Sequence, residues 1–131
     1  MRFADTSFWV ALQIPADNHH DDASALWSAD DIPIISTNHI VGETWTFTRR
    51  RLDHRRAVRL LDLIERSRRV QVVRVEDALE EEAWRWLRRH DERSYSFVDA
   101  TSFAVMRRRR IRDALAFDGD FAAAGFVELR P

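Results

Sequence analysis

Ser96 to Phe121 reads SFVDATSFAVMRRRRIRDALAFDGDF. Phe97, Ala100, Phe103, Ala104 and Met106 recur at helical spacing and predict a helix from about Phe97 to Arg109. Asp99 lies on that helix with Phe103 at i+4 and Met106 at i+7, so a carboxylate shares the face that should enter the core. Ala114-Leu115-Ala116-Phe117 then reads as a buried strand that stops at Asp118-Gly119-Asp120. Each acid has an ordinary explanation when taken alone. Ser96-x-x-Asp99 fits a capping box, although Glu or Gln is the usual partner, and Asp-Gly-Asp fits a turn.

The same pattern of an apolar run ending in an acid recurs toward the N-terminus. Arg2-Phe3-Ala4 predicts a short strand ending at Asp5, and Asp5-Thr6-Ser7 opens a helix that Pro15 ends. Further helices are expected over His20–Ser28, from a Thr37 or Asn38 cap to about Arg51, over His54–Ser67, and from Glu76 to about His90. Strands are expected over Ile32–Ser36, Val70–Val75, Ala114–Phe117 and Phe126–Leu129. Alternation of short strands with helices predicts an α/β sandwich around a mostly parallel sheet, formed as a single domain over 1–131.

Composition narrows the chemistry. The chain contains no cysteine and no lysine, so thiol nucleophiles, thiolate metal sites, Schiff bases and a P-loop lysine are excluded. The absence of cysteine fits a reducing cytoplasm, and the N-terminus has neither a signal-peptide pattern nor an apolar run long enough to span a bilayer. Residues 1–48 carry one Arg against seven acids, whereas residues 49–131 carry 20 Arg against 15 acids. The densest run, RRRLDHRRAVRLLDLIERSRR at 49–69, is either a solvated helix face or a patch for phosphates.

Ligands of open α/β sheets bind beyond the carboxyl ends of the strands. Asp5 and Asp118 are expected at such ends, and Glu43 and Asp99 in the early turns of helices, each with Phe at i+4. Four convergent carboxylates raise one another's pKa unless a cation compensates them, and oxygen-only ligands favour magnesium or manganese over zinc. The five histidines, His19, His20, His39, His54 and His90, show no metal-ligand spacing and are assigned to surface or capping positions.

FADTS at 3–7, STNHIVGET at 36–44, SFVDATSFAVM at 96–106 and AFDGDF at 116–121 occur in the order found in PIN-domain ribonucleases. The chain resembles the VapC-type toxins of toxin–antitoxin pairs over essentially its whole length. The resemblance implies a PIN-like three-layer α/β/α sandwich and makes Asp5, Glu43, Asp99 and Asp118 a catalytic, metal-binding quartet, with Asp120 an accessory ligand. It implies magnesium-dependent endonucleolytic cleavage of RNA, with manganese as a substitute, a homodimer, and a VapB-like antitoxin. One departure is Ala116, where the family often carries a Thr or Ser hydroxyl that helps orient the fourth acid or a water.

Arg49, Arg50, Arg51, Arg55 and Arg56 flank the helix after Glu43 and are expected to contact RNA phosphates or to dock acidic residues of a partner. Trp9, Trp27, Trp45, Phe47 and Trp86 are weighed as either core or an apolar groove for a partner helix. Two other functions compete with this reading. A non-catalytic RNA-binding scaffold of the same fold would be favoured by loss of an acid, and none is lost. A phospho-acceptor receiver domain requires a late lysine and an acidic pair near the first strand, and both are missing.

Overall fold

The computed structural model describes residues 1–131. Five strands form one sheet: β1 (Arg2–Ala4), β2 (Ile34–Thr37), β3 (Val70–Val73), β4 (Asp113–Leu115) and β5 (Val127–Glu128). Their spatial order is β3-β2-β1-β4-β5, and every adjacent pair is parallel. The helices are α1 (Thr6–Gln13), α2 (His20–Ser28), α3 (Asn38–Arg51), α4 (His54–Arg66), α5 (Asp77–Arg89), α6 (Phe97–Arg109) and α7 (Asp120–Ala123).

This order fixes where a ligand can enter. From β1 the chain steps outward in one direction to β2 and β3, then returns to build β4 and β5 on the other side. Parallel crossovers are right-handed, so reversing the direction of winding moves the connecting helices to the opposite face. In agreement, α1 to α4 pack on one another, and α5, α6 and α7 form a separate group. The reversal occurs between β1 and β4, leaving a crevice at their carboxyl ends. Asp5 follows β1, and Asp118 lies three residues beyond β4.

The sheet core is apolar and aromatic, with Phe3, Phe8, Trp9, Ile34, Ile35, Phe103, Leu115 and Phe121 among its fully buried side chains. Trp9 and Trp86 therefore belong to the core rather than to a groove: Trp9 packs edge-on against Phe8 and Trp27, and Trp86 against Tyr95 and Phe103. Trp27, Trp45 and Phe47 are half-buried. The exposed indole is instead Trp84, stacked on Phe97 at 4.2 Å.

Several boundaries differ from expectation. Ile32 and Pro33 precede β2, although Pro33 O still accepts from Arg2 N. The fourth strand begins at Asp113 and pairs only to Leu115, leaving Ala116-Phe117 as a buried lead into the acidic turn. The short helix α7 was not anticipated, because four residues hold barely one turn of periodic signal. In α3 the buried face is Ile40, Thr44 and Thr48; the face that Glu43 shares with Phe47 lines the crevice rather than the core, with Glu43 exposed.

Candidate active site

Asp5 is the N-cap of α1, and its Oδ2 accepts from the Ser7 amide at 3.2 Å and the Ser7 hydroxyl at 2.8 Å. Its own amide donates to Leu115 O, which ties the end of β1 to the end of β4. The Ser7 Oγ in turn accepts from the Phe117 amide at 3.0 Å. Ser7 thus holds Asp5 and the approach to Asp118 together. Asp5 is 3% exposed. Burial first, then the charge of Asp118, pushes its pKa up to about 8 against the opposing Ser7 hydrogen bonds.

Asp99 is buried at the third position of α6, where the capping box is complete. Ser96 Oγ accepts from the Asp99 amide at 2.9 Å, and Asp99 Oδ2 accepts from the Ser96 amide at 3.0 Å. The contrast between cap and site therefore dissolves. Oδ2 closes the box, leaving Oδ1 without a hydrogen-bond donor beside the other acids. Burial pushes the Asp99 pKa up to about 6, with Asp120 and Asp118 adding to the rise and Ser96 opposing it.

Asp118 and Asp120 sit on the turn that leads into α7. Asp118 Oδ1 accepts from the Asp120 amide at 3.1 Å, and Gly119 between them adopts a φ of 83°, a left-handed conformation that glycine tolerates. The Asp118 side chain reaches water yet lies in a concavity, and desolvation there, then the charges of Asp120 and Glu128, raises its pKa. Glu128 also holds the turn, accepting from the Gly119 and Ala122 amides. Asp120 is paired with Arg93, whose Nε donates to its Oδ1 at 2.8 Å, while the Arg93 NH2 group donates to Asp118 O at 3.3 Å.

Glu43 reaches in from α3, exposed, with Oε1 accepting from the Thr6 hydroxyl. A cavity of about 440 Å³ joins Asp5, Glu43, Asp99 and Asp118 as its lining. Within the acidic group, Asp99, Asp118 and Asp120 each bring one carboxylate oxygen to within 4.8 Å of the others. Three hard oxygen donors whose charges resist coexisting make a fitting cradle for a divalent cation. The tightest cluster thus includes Asp120, while Asp5 adjoins it and Glu43 stands across the cavity.

Four residues of the site went unmarked by sequence reasoning. Ser7 and Arg93 act through contacts that only the tertiary structure creates. Asp17 and His19 also line the cavity, and His19 at the same time occupies the N-cap position of α2, in keeping with the expected surface or capping position. The imidazole lies parallel to Phe117 with centroids 4.6 Å apart. No local spacing marks either residue, since the α1–α2 loop brings them in.

The arginine run divides. Arg50 and Arg51 line a second cavity, of about 750 Å³, that shares Glu43 and Phe47 with the acidic one. Arg51 also covers the Phe47 ring at 5.1 Å. Arg49, Arg55 and Arg56 are exposed outside it, and Arg56 leans on Asp53, the N-cap of α4. Arg69 is structural, with its guanidinium fixed by Ile32 O, Trp27 O and Asp30.

A family model described as "PIN domain" matches residues 2–127. The chain is 56% identical over 131 residues to the 23S rRNA-specific endonuclease VapC20 of Mycobacterium tuberculosis, with 100% of this chain and 99% of that protein covered. The crystal structure of M. tuberculosis VapC20, a toxin that cleaves the sarcin–ricin loop, matches with a TM-score of 0.95 and 53% identity, covering 100% of both chains. FitAcB from Neisseria gonorrhoeae matches with a TM-score of 0.66 at 15% identity, covering 98% of this chain and 96% of that one, which is a likeness of fold.

Proposed function

The chain belongs to the PIN-domain family, and on that premise we propose that it is a metal-dependent endoribonuclease, the toxin of a toxin–antitoxin pair. The observation that carries this reading is the union of five acids with a basic groove at the β1/β4 crevice. The full-length likeness to VapC20 supports ribosomal RNA as the substrate class.

Asp99, Asp118 and Asp120, with Asp5 beside them, hold the metal, magnesium by preference and manganese as a substitute. The bound ion supplies charge neutralisation and activation of water for attack on a phosphodiester. Glu43 has a different task. Its Oε1 is held by Thr6, leaving Oε2 to accept the proton of the attacking water. Arg50 and Arg51 fix the RNA backbone alongside, where their charges offset the repulsion between phosphates and acids.

A second copy of the chain and a VapB-like antitoxin are the expected protein partners, with the half-buried Phe47 and the Trp84–Phe97 stack among the apolar surface available to them. No helix is long and apolar enough to cross a membrane. The test is cleavage of purified ribosomal RNA by the full chain with magnesium. Chelation and the Asp99→Asn substitution should each abolish it. Cleavage that survives both would overturn the reading, and RNA binding without any cleavage would favour a scaffold.

A further inference from the structure

We propose that His19 is the stacking shelf for a nucleobase of the bound RNA, next to the phosphate that is cut. The inference rests on the ribonuclease reading and adds to it a subsite that the acids do not explain. His19 shares the cavity with Asp5, Asp99 and Asp118, and it makes no side-chain hydrogen bond or ion pair. One ring face is covered by Phe117, at an interplanar angle of 2°. The side chain is half-buried and lines the cavity, and a base can stack only on the ring face that Phe117 does not cover.

The shelf is built to be rigid. Phe117 is itself buried, stacked on Phe8 of the core and covered by the Arg130 guanidinium at 4.8 Å. Its amide is held by Ser7, the same residue that holds Asp5. The His19 amide donates to Asp17 Oδ1 at 2.8 Å, which fixes the loop that carries the imidazole. The ring and Asp5 are thus referenced to the same Ser7, at the start of α1 and the stretch just beyond β4. Unstacked RNA bases seek aromatic faces, histidine included, and such stacking tolerates any base because each has a π-face. A base on this shelf would hold the adjoining phosphate at the acidic cluster.

Two measurements test the inference, and they fail separately from the nuclease reading. In the first, synthetic single-stranded RNA carrying 2-aminopurine is bound to the cleavage-dead Asp99→Asn protein. Fluorescence should be quenched at one position along the RNA, His19→Ala should remove that quenching, and His19→Phe should restore it. In the second, the magnesium-loaded chain cleaves a stem-loop RNA. His19→Ala should raise KM about tenfold with kcat nearly unchanged, and His19→Phe should recover KM. An abasic residue at the shelf position should raise the wild-type KM equally and make His19→Ala indistinguishable from wild type. Quenching that persists in His19→Ala, or a kcat loss that His19→Phe does not rescue, would overturn the shelf. Absence of cleavage by the wild type would instead refute the nuclease reading, with the quenching still deciding the subsite.

Discussion

Replacing Asp5 with Asn should stabilise the metal-free protein by an amount that grows with pH. The unfolded carboxyl ionises near 3.8, whereas in the folded chain burial and the neighbouring acids keep its proton on to about 8. Between those values the folded state binds the extra proton. Stability therefore falls as pH rises, and this contribution is fully lost above about pH 8. At about 1.4 kcal/mol per pH unit, the wild type should lie ~3 kcal/mol below the Asn variant at pH 6 and on the order of 5 kcal/mol below it at pH 8. Asn retains an oxygen that can accept both Ser7 hydrogen bonds, so little else is lost. For a chain of this size, ~3 kcal/mol corresponds to about 10 °C in Tm. Thermal melts in chelator from pH 4 to pH 8.5 give the comparison, and the two proteins should converge at the acid end. Added magnesium or manganese should raise the wild type more than the variant, because the ion relieves the repulsion that the variant no longer has. A gap that does not widen with pH, or a variant less stable than wild type at pH 8, would refute the reasoning.

Arg93→Gln should tighten metal binding: Glu128 still anchors the Asp118–Asp120 turn, while a cation beside Asp120 is removed. At about 5 Å in a mostly aqueous setting that repulsion is ~1 kcal/mol, so the manganese concentration for half-maximal thermal stabilisation should fall about fivefold. A midpoint that rises would mean the guanidinium orders the turn instead. The arginine run should separate by position. Arg50→Gln with Arg51→Gln should flatten the log–log salt dependence of RNA binding by about 1.4, at about 0.7 per contact, whereas Arg55→Gln with Arg56→Gln should leave the slope unchanged. Equal slopes for the two pairs would return the whole run to solvent. Ser96→Ala should lower stability by ~1 kcal/mol through loss of the cap while the protein still cleaves RNA, read by urea melts beside a cleavage assay. Loss of cleavage with full stability would place the Ser96 hydroxyl in the chemistry.

The order of elements and the addresses of Asp5, Asp99 and Asp118 were legible because each depends on local pattern. Phe3-Ala4 before Asp5, the 3.6-residue spacing around Asp99, and the apolar lead into Asp118 all carry that information within a few residues. The inward face of α3 was not legible. Two of its three buried residues are Thr44 and Thr48, whose hydroxyls read as polar yet are buried without a hydrogen-bond partner. The eye is drawn instead to Trp45 and Phe47, which are only half-buried. Trp84 is exposed on α5, off the face of Leu79, Ala83, Trp86 and Leu87 that the helical spacing marks as inward. Arg93 and His19 belong to loops, and what they touch is set by the docking of distant elements, which no period records.

Asp99 shows why the legible part was enough to find the acidic cavity. A carboxylate on a core face conflicts with burial, and a chain consistent at every level would place an apolar residue there. The capping box resolves half of the conflict by satisfying Oδ2 through Ser96, yet it would do so equally well on an exposed helix end. What the cap leaves unexplained is why the box is buried and faces two further acids, Asp118 and Asp120, whose charges raise the proton affinity of Asp99. Repulsion of that kind is tolerated where a ligand removes it. At the β1/β4 reversal the strand ends part, and the starts of α1 and α6 meet solvent there. The conflict within the helix and the gap in the sheet are therefore two views of one requirement: the metal-free fold gives up stability at the position where a cation and a phosphate would restore it.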